Sequence, residues 1–419
     1  MRGLAVYGHK RVLVFVTLGI ASGLPYDLLR GTLSHWLAKA GVDIKTIGAF
    51  ALVGLVFNFK PLWAPLVDRY TPGFLGRRRG WIVIFQLALI AAIFTMGVVG
   101  PSEASHQSLL PFIIVTLIVA FLSASQDIVI DAYRTDVLNA DERGAGAATY
   151  TFGYRIAMIL GGGLALVLSD YVSYGSIYML MSGFMAIGVL TTLRAPSPSE
   201  ETSPPRTLLA AVVDPLRDFF GRYGWKGSAA ILFFLLFYKF GEGMAAQLLN
   251  PFLGREGGGL GFSGAEIGTV RKSVGMLAAI LGAFAGGAVI SRWGTFKPLL
   301  VCGILQSLAN LGYVLLALTG KSIVGLALAI SVDQFLGGMG TTAFVAFLMC
   351  ICNKRYSAFQ FALFTSASTL MAHSIGAFSG VLQTRVGWPA FFVVTIVVAA
   401  PALFGLALAM PHVEAGSPD

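Results

Sequence analysis

An all-α, polytopic membrane fold of about twelve transmembrane helices in two six-helix bundles is what the sequence predicts, on three observations. Apolar runs of about 20 residues, the length that crosses a bilayer, recur along the whole chain. Only 12% of the 419 residues are charged and 56% are hydrophobic, where a soluble domain carries roughly a quarter charged residues. Lysine and arginine gather in alternate loops between the apolar runs, as they do on the inner side of a membrane.

In chain order, the first six spans are expected over 11–37, 45–66, 81–100, 109–138, 144–169 and 176–193. The second six are expected over 225–253, 263–291, 296–318, 322–352, 357–385 and 387–410. Lys10 and Arg11 precede an apolar stretch with no convincing small-residue cleavage site, so the start is read as a retained first span. A Pro/Ser-rich acidic stretch and then an amphipathic one separate the halves. The division is 1–194, an N-terminal bundle; 195–224, a linker with an amphipathic helix at the membrane surface; and 225–419, a C-terminal bundle. Arg2, Lys10, Arg11, Arg69, Arg77–Arg79, Arg143, the linker arginines, Arg292, Lys297, Lys354 and Arg355 fall on one side. Lys39, Lys45, Arg255, Lys321 and Arg385 fall on the other, which places both termini in the cytoplasm.

Several function classes drop out. The net charge of +9 resides in short loops, with no basic, aromatic-interleaved patch for nucleic acid. Cys302, Cys350 and Cys352 read as small buried hydrophobes. His9, His35, His106, His373 and His412 have no metal-ligand spacing, so no metal is expected. No phosphate-binding G-x-x-x-x-G-K-[S/T] loop is present, which argues against direct ATP drive, and no cofactor is expected. No nucleophile and base are gathered at one depth, so an enzyme is not expected. The 51 glycines suit close helix packing in a membrane.

The chemistry concentrates in the fourth span, S-A-S-Q-D-I-V-I-D-A-Y-R-T-D-V-L from Ser123 to Leu138. Charges at bilayer depth cost several kcal/mol or more and normally face a bundle interior or a wet cavity. Asp127 and Asp131 are i, i+4 and Arg134 is three further on, so all three share one helix face. That stripe can take up a proton or bind a polar solute; the plainer alternative is a salt bridge that anchors one helix to another. Other polar residues lie within spans. Lys60 precedes Pro61 and can meet a carboxylate or snorkel to the interface. Arg155 follows Tyr154 early in the fifth span and equally suits a gate. Lys239 and Glu242, i, i+3, make a plausible pair, as do Asp27 and Arg30. Arg271 and Lys272 open the eighth span's interior, and Asp333 and Gln334 precede the G-G-M-G of the tenth.

After the second span comes P-L-V-D-R-Y-T-P-G-F-L-G-R-R-R-G. It resembles the loop between the second and third spans of the major facilitator superfamily, which latches one conformation by pairing with neighbouring helix ends. Asp68, Arg69, Gly76, Arg77, Arg78 and Arg79 are the gating residues so implied. The second half echoes it in G-G-A-V-I-S-R-W-G-T-F-K-P, with Ser291 where the acid would be.

A narrower resemblance rests on A-S-G-L-P, K-T-I-G-A-F-A-L-V-G, the Asp68 loop, the fourth-span motif, E-R-G-A-G-A-A, G-Y-R-I-A-M, Y-K-F-G-E, G-G-M-G-T-T-A-F-V-A-F-L-M and C-N-K-R-Y-S-A-F-Q-F-A-L. In this order, over almost the whole chain, they look like the AmpG muropeptide permeases. The resemblance implies import of N-acetylglucosaminyl-1,6-anhydro-N-acetylmuramic acid and its peptides across the bacterial inner membrane, driven by protons. It also implies a role in cell-wall recycling and, indirectly, in β-lactamase induction. Anhydromuropeptides, protons and membrane lipid are the expected partners, and a monomer the expected state. Asp127 and Asp131 are the expected proton-coupling acids. A cargo of hydroxyls, acetamido groups and carboxylates suits amides, basic residues and aromatic faces. The expected cargo set is Lys60, Gln126, Tyr133, Arg134, Tyr154, Arg155, Lys239, Glu242, Lys272, Asp333 and Gln334. Acetyl-coenzyme A carriers resemble the family too, and another large anionic solute is the alternative cargo; a membrane-embedded enzyme or lipid scramblase is the rival from another class.

Overall fold

The computed structural model describes residues 5–101, 109–198, 203–254 and 258–416, and every regular element among them is helical. Ten helices are long and apolar enough to cross a membrane. The first span is Lys10–Lys39, the third Gly76–Val99, the fourth Leu110–Val137, the fifth Arg143–Leu168 and the sixth Tyr174–Arg194. The seventh lies within Leu208–Leu253, the eighth is Gly264–Trp293, the ninth Phe296–Thr319 and the tenth Ile323–Ile351, with a further one at Phe378–Val413.

The remaining expected passes differ from plain helices for local reasons. The second is broken into Ile44–Phe50, tight 3-10 turns over Ala51–Asn58 and Lys60–Leu62, and Ala64–Arg69. Pro61 and Pro65 have no N–H to give, and each ring crowds the turn before it. Ser357–Gly416 holds two helices joined by a kink at Gly387, whose φ is 77°, so the eleventh and twelfth spans meet at a single non-helical residue. Gly224, with φ 63°, likewise turns the amphipathic linker helix into the seventh span. Only glycine adopts such angles without strain.

Three segments wind with an extra residue per turn: Leu28–Thr32 in the first span, Ile159–Leu164 in the fifth and Arg271–Gly275 in the eighth. Such widened turns shift every side chain beyond them round the axis, and they recur at functional positions.

Close packing sets the frame. A Cβ on Gly153 would overlap the Val16 carbonyl oxygen, and one on Gly19 that of Tyr150, so the first and fifth spans touch backbone to backbone. Across the molecule, a Cβ on Gly144 would sit 2.8 Å from the Gly287 oxygen, joining the fifth span to the eighth. The largest buried apolar cluster runs through both halves, with Phe15, Tyr133, Phe234, Phe347 and Phe361 among its members. In the loop after the first span, Asp43 caps the next helix; hydrogen bonds from Thr46 and Lys45 hold its carboxyl below the usual range.

Candidate functional site: a buried charge cluster, a polar cavity and a latch

The latch lies on the face that carries the linker. Asp68 ends the second span and is fully buried. Arg78 Nη2 donates to it at 2.8 Å, and the Phe359 amide, in the first turn of the eleventh span, donates at 2.8 Å. The free N–H groups of a helix start suit an anion there. Arg78 Nε donates to Asp136 at 2.7 Å, and the Ser357 hydroxyl bridges Asp136 and Arg78. Arg77 donates to the carbonyls of Lys354 and Arg355 at 3.1 and 3.3 Å. Leu75 and Gly76 have φ of 58° and 73°, which turns the chain so that the arginines face back into the protein. Two of the six gating residues stand apart: Arg79 donates to the Ala195 carbonyl at the linker, and Arg69 stacks on Tyr70. Ser291 donates to the Asp141 carbonyl, a neutral bond in place of an acidic latch. Asp136 and Ser357 belong to the latch although the sequence did not single them out.

The charge cluster is built on the fourth span. Arg134 Nη2 donates to Asp131 Oδ1 at 2.7 Å, and Lys60 Nζ lies 4.0 Å from Asp131 Oδ2. Trp63 donates to Ser125 at 3.0 Å, which fixes the broken second span, and with it Lys60, against the fourth. Arg134 is 1% exposed and lies over the Tyr150 ring at 4.4 Å and the Phe361 ring at 5.6 Å. Asp127 accepts from the Ser22 hydroxyl, which is 2.7 Å from the Tyr150 hydroxyl. Tyr154 continues the aromatic wall, its ring 6.3 Å from Tyr150 and 6.1 Å from Tyr26. Thus Asp127, Asp131, Arg134, Lys60 and Tyr154 come together, joined by Ser22 and Tyr150.

Two expected cargo residues are engaged elsewhere. Gln126 is fully buried and donates to the Ala21 carbonyl at 2.8 Å. Tyr133 is fully buried and donates to the Pro196 carbonyl at 2.6 Å, holding the linker.

A cavity of about 140 Å³ opens between Arg155 of the fifth span and a polar wall of the second half: Glu242, Arg271, Gln306, Asn310, Asp333 and Gln334. Asp333 accepts from Tyr313 at 3.0 Å and from Gln334 at 3.2 Å, and Arg271 donates to Asn250 at 2.6 Å. Here the geometry departs from helical spacing. Lys239 and Glu242 form no ion pair among the described residues; the helix breaks at Tyr238–Lys239, and Lys239 faces the Phe344 ring at 5.9 Å. Arg271 lines the cavity while Lys272, the next residue and so about 100° round the helix axis, lines a separate, open groove. Asp27 and Arg30, at the widened turn of the first span, do not pair: Arg30 donates to Tyr26 at 2.6 Å, and Asp27 turns toward Gly161 and Gly162. The His373 side chain lies outside the described residues. Among the described residues no group of His, Cys, Asp or Glu could hold a metal ion.

The family model described as Major Facilitator Superfamily matches residues 15–377. The anhydromuropeptide permease of Escherichia coli strain K12 is 43% identical over 412 residues, covering 98% of this chain and 82% of that protein. A Rickettsia conorii protein named putative transporter AmpG 4 is 33% identical over 416 residues, 96% of this chain and 97% of its own. Among solved structures, the human organic anion transporter MFSD10 superposes with a TM-score of 0.69 at 15% identity, over 95% of this chain and 99% of that one. The proton:xylose symporter XylE superposes with a TM-score of 0.67 at 10% identity, over 94% of each. At such identities the two structures speak to the fold alone.

Proposed function

The chain belongs to the AmpG permease family of the Major Facilitator Superfamily, a multi-pass membrane protein, and from that premise we propose that it imports anhydromuropeptides together with protons. The cargo is N-acetylglucosaminyl-1,6-anhydro-N-acetylmuramic acid and its peptides, moved from periplasm to cytoplasm across the inner membrane for peptidoglycan recycling. The observation that carries the proton coupling is the pair of carboxylates, half-buried Asp127 and buried Asp131, set with Lys60 and Arg134 in the C-terminal half of the fourth span. Such a group is expensive in a membrane and is retained where ions or protons move.

The two halves, 1–194 and 225–419, rock about this site with the linker on the cytoplasmic side. In this reading the latch of Asp68, Arg78, Asp136 and Ser357 closes the cytoplasmic end, and cargo enters from the opposite side. The acetamido and hydroxyl groups of the sugars match the amides and acids of the cavity, Gln306, Asn310, Asp333 and Gln334.

The test is uptake of radiolabelled disaccharide into proteoliposomes with and without an inward pH gradient. Accumulation above equilibrium that a protonophore abolishes is the expected result. Simple equilibration would overturn the coupling, and no transport by folded protein would overturn the cargo.

A further inference from the structure

We infer that the two fourth-span acids have separate roles: Asp127 is the seat of the transported proton, Asp131 is a permanent counter-ion, and Lys60 becomes the site of a cargo carboxylate once Asp127 is protonated. This deepens the proton-coupled reading above and rests on it.

The geometry separates the two acids. Asp131 is 8% exposed and holds a 2.7 Å charge-assisted bond from Arg134, with Lys60 4.0 Å away. Neutralising Asp131 would leave the guanidinium of Arg134 buried without its carboxylate, a heavy penalty at this depth. Asp127 is one helical turn earlier. It has no cation within 4.0 Å among the described residues, and it is more exposed than Asp131. Its donor is the Ser22 hydroxyl. Ser22 has one hydrogen and gives it to Asp127, so it must accept from Tyr150. A protonated Asp127 still accepts from Ser22, so taking up a proton at Oδ2 breaks no hydrogen bond in this chain.

The charges then link proton to cargo. Facing Asp127 are Lys60 from the second span, Asp131 and Arg134 from its own, Tyr150 and Tyr154 from the fifth, and Ser22 from the first. With both tyrosines neutral, two carboxylates oppose two cations. The charges of Lys60 and Arg134 act on both acids. One proton on Asp127 leaves an excess positive charge, and Arg134 is already committed to Asp131, so the excess is presented by Lys60. A carboxylate of the cargo at Lys60 restores neutrality. Proton and anion therefore favour each other's binding, and by linkage the effect is the same in both directions.

The experiment is proton uptake on cargo binding, by the full chain in lipid nanodiscs with weak buffer and an indicator dye. The probes are the disaccharide acid and the same disaccharide with its muramic carboxylate converted to the carboxamide. The wild type is expected to take up about one proton per acid bound, its affinity falling about tenfold per pH unit on the alkaline side. The carboxamide should draw far less proton uptake, and Asp127→Asn should bind the acid with none and with no pH dependence. Lys60→Gln should bind acid and carboxamide alike. Proton uptake by Asp127→Asn, or equal uptake with acid and carboxamide on the wild type, would overturn the assignment. The carboxamide comparison needs no variant, so a failure of Asp127→Asn to fold does not protect the idea. Failure of folded wild type to bind either sugar would instead bring down the cargo reading on which the assignment rests.

Discussion

The amide of Phe359 donates to the carboxylate of Asp68 at 2.8 Å, although the two residues belong to opposite halves of the chain. A buried acid on one half thus caps a helix of the other, and Arg78 holds that acid together with Asp136. Opening this end means separating a caged carboxylate from a helix start and a guanidinium from a shared hydroxyl. Each of these bonds joins the two halves or braces the acid that does, so all of them act against separation at this end.

Removing the guanidinium should expose how much rests on it. Arg78→Ala leaves two buried carboxylates facing each other without their shared cation, a change on the order of 3–5 kcal/mol for a broken buried pair. A large fall in the thermal midpoint in detergent and loss of uptake are expected. An unchanged midpoint would remove Arg78 from the latch.

Ser357→Ala is gentler. It deletes the hydroxyl between Asp136 and Arg78, worth about 1 kcal/mol, and should shift the population toward opening while the protein stays folded. Cys350 and Cys352 are 8% and 6% exposed beside this end, so their alkylation by a maleimide gives the readout. Faster labelling than wild type is the expected result; an identical rate would mean the hydroxyl does not hold the gate.

The contact between first and fifth spans is tested by a pair of alanines. Gly153→Ala would place a methyl group on the Val16 carbonyl, an overpacking cost of about 1–3 kcal/mol. Gly163→Ala, on the same span, meets nothing within 4 Å and should leave the melting curve where it is. Equal melting of the two variants would contradict the close approach.

Tyr133→Phe separates cargo binding from linker anchoring. The lost hydroxyl serves the Pro196 carbonyl, so about 1 kcal/mol of stability should go while KM for the disaccharide stays put. A KM raised tenfold at unchanged stability would return Tyr133 to the cargo site.

What could be read from residues alone follows the regularity of the backbone. Asp127, Asp131 and Arg134 lie on one face because Leu110–Val137 is an unbroken helix, and there helical spacing is enough. Lys239 with Glu242 and Asp27 with Arg30 do not pair, each beside a break or a widened turn. Spacing rules assume 3.6 residues per turn; in G-L-P-Y-D-L-L-R-G-T Pro25 signals a disturbance but not where the widened turn falls or how far it rotates the residues after it. Ser22, Tyr150 and Asp136 stayed hidden for another reason. Their partners are 105, 128 and 221 residues away along the chain, and hydroxyls in apolar spans usually bond their own helix. Passes and alternating basic loops were legible because hydropathy and charge are local; a hydrogen-bonded chain across three helices is not.

The joint at Gly387 bears on how the last two spans move. With one residue out of helical conformation between the eleventh and twelfth spans, the joint has no slack to absorb a displacement. A tilt of one helix is then passed directly to the other, and the pair is expected to swing as one lever.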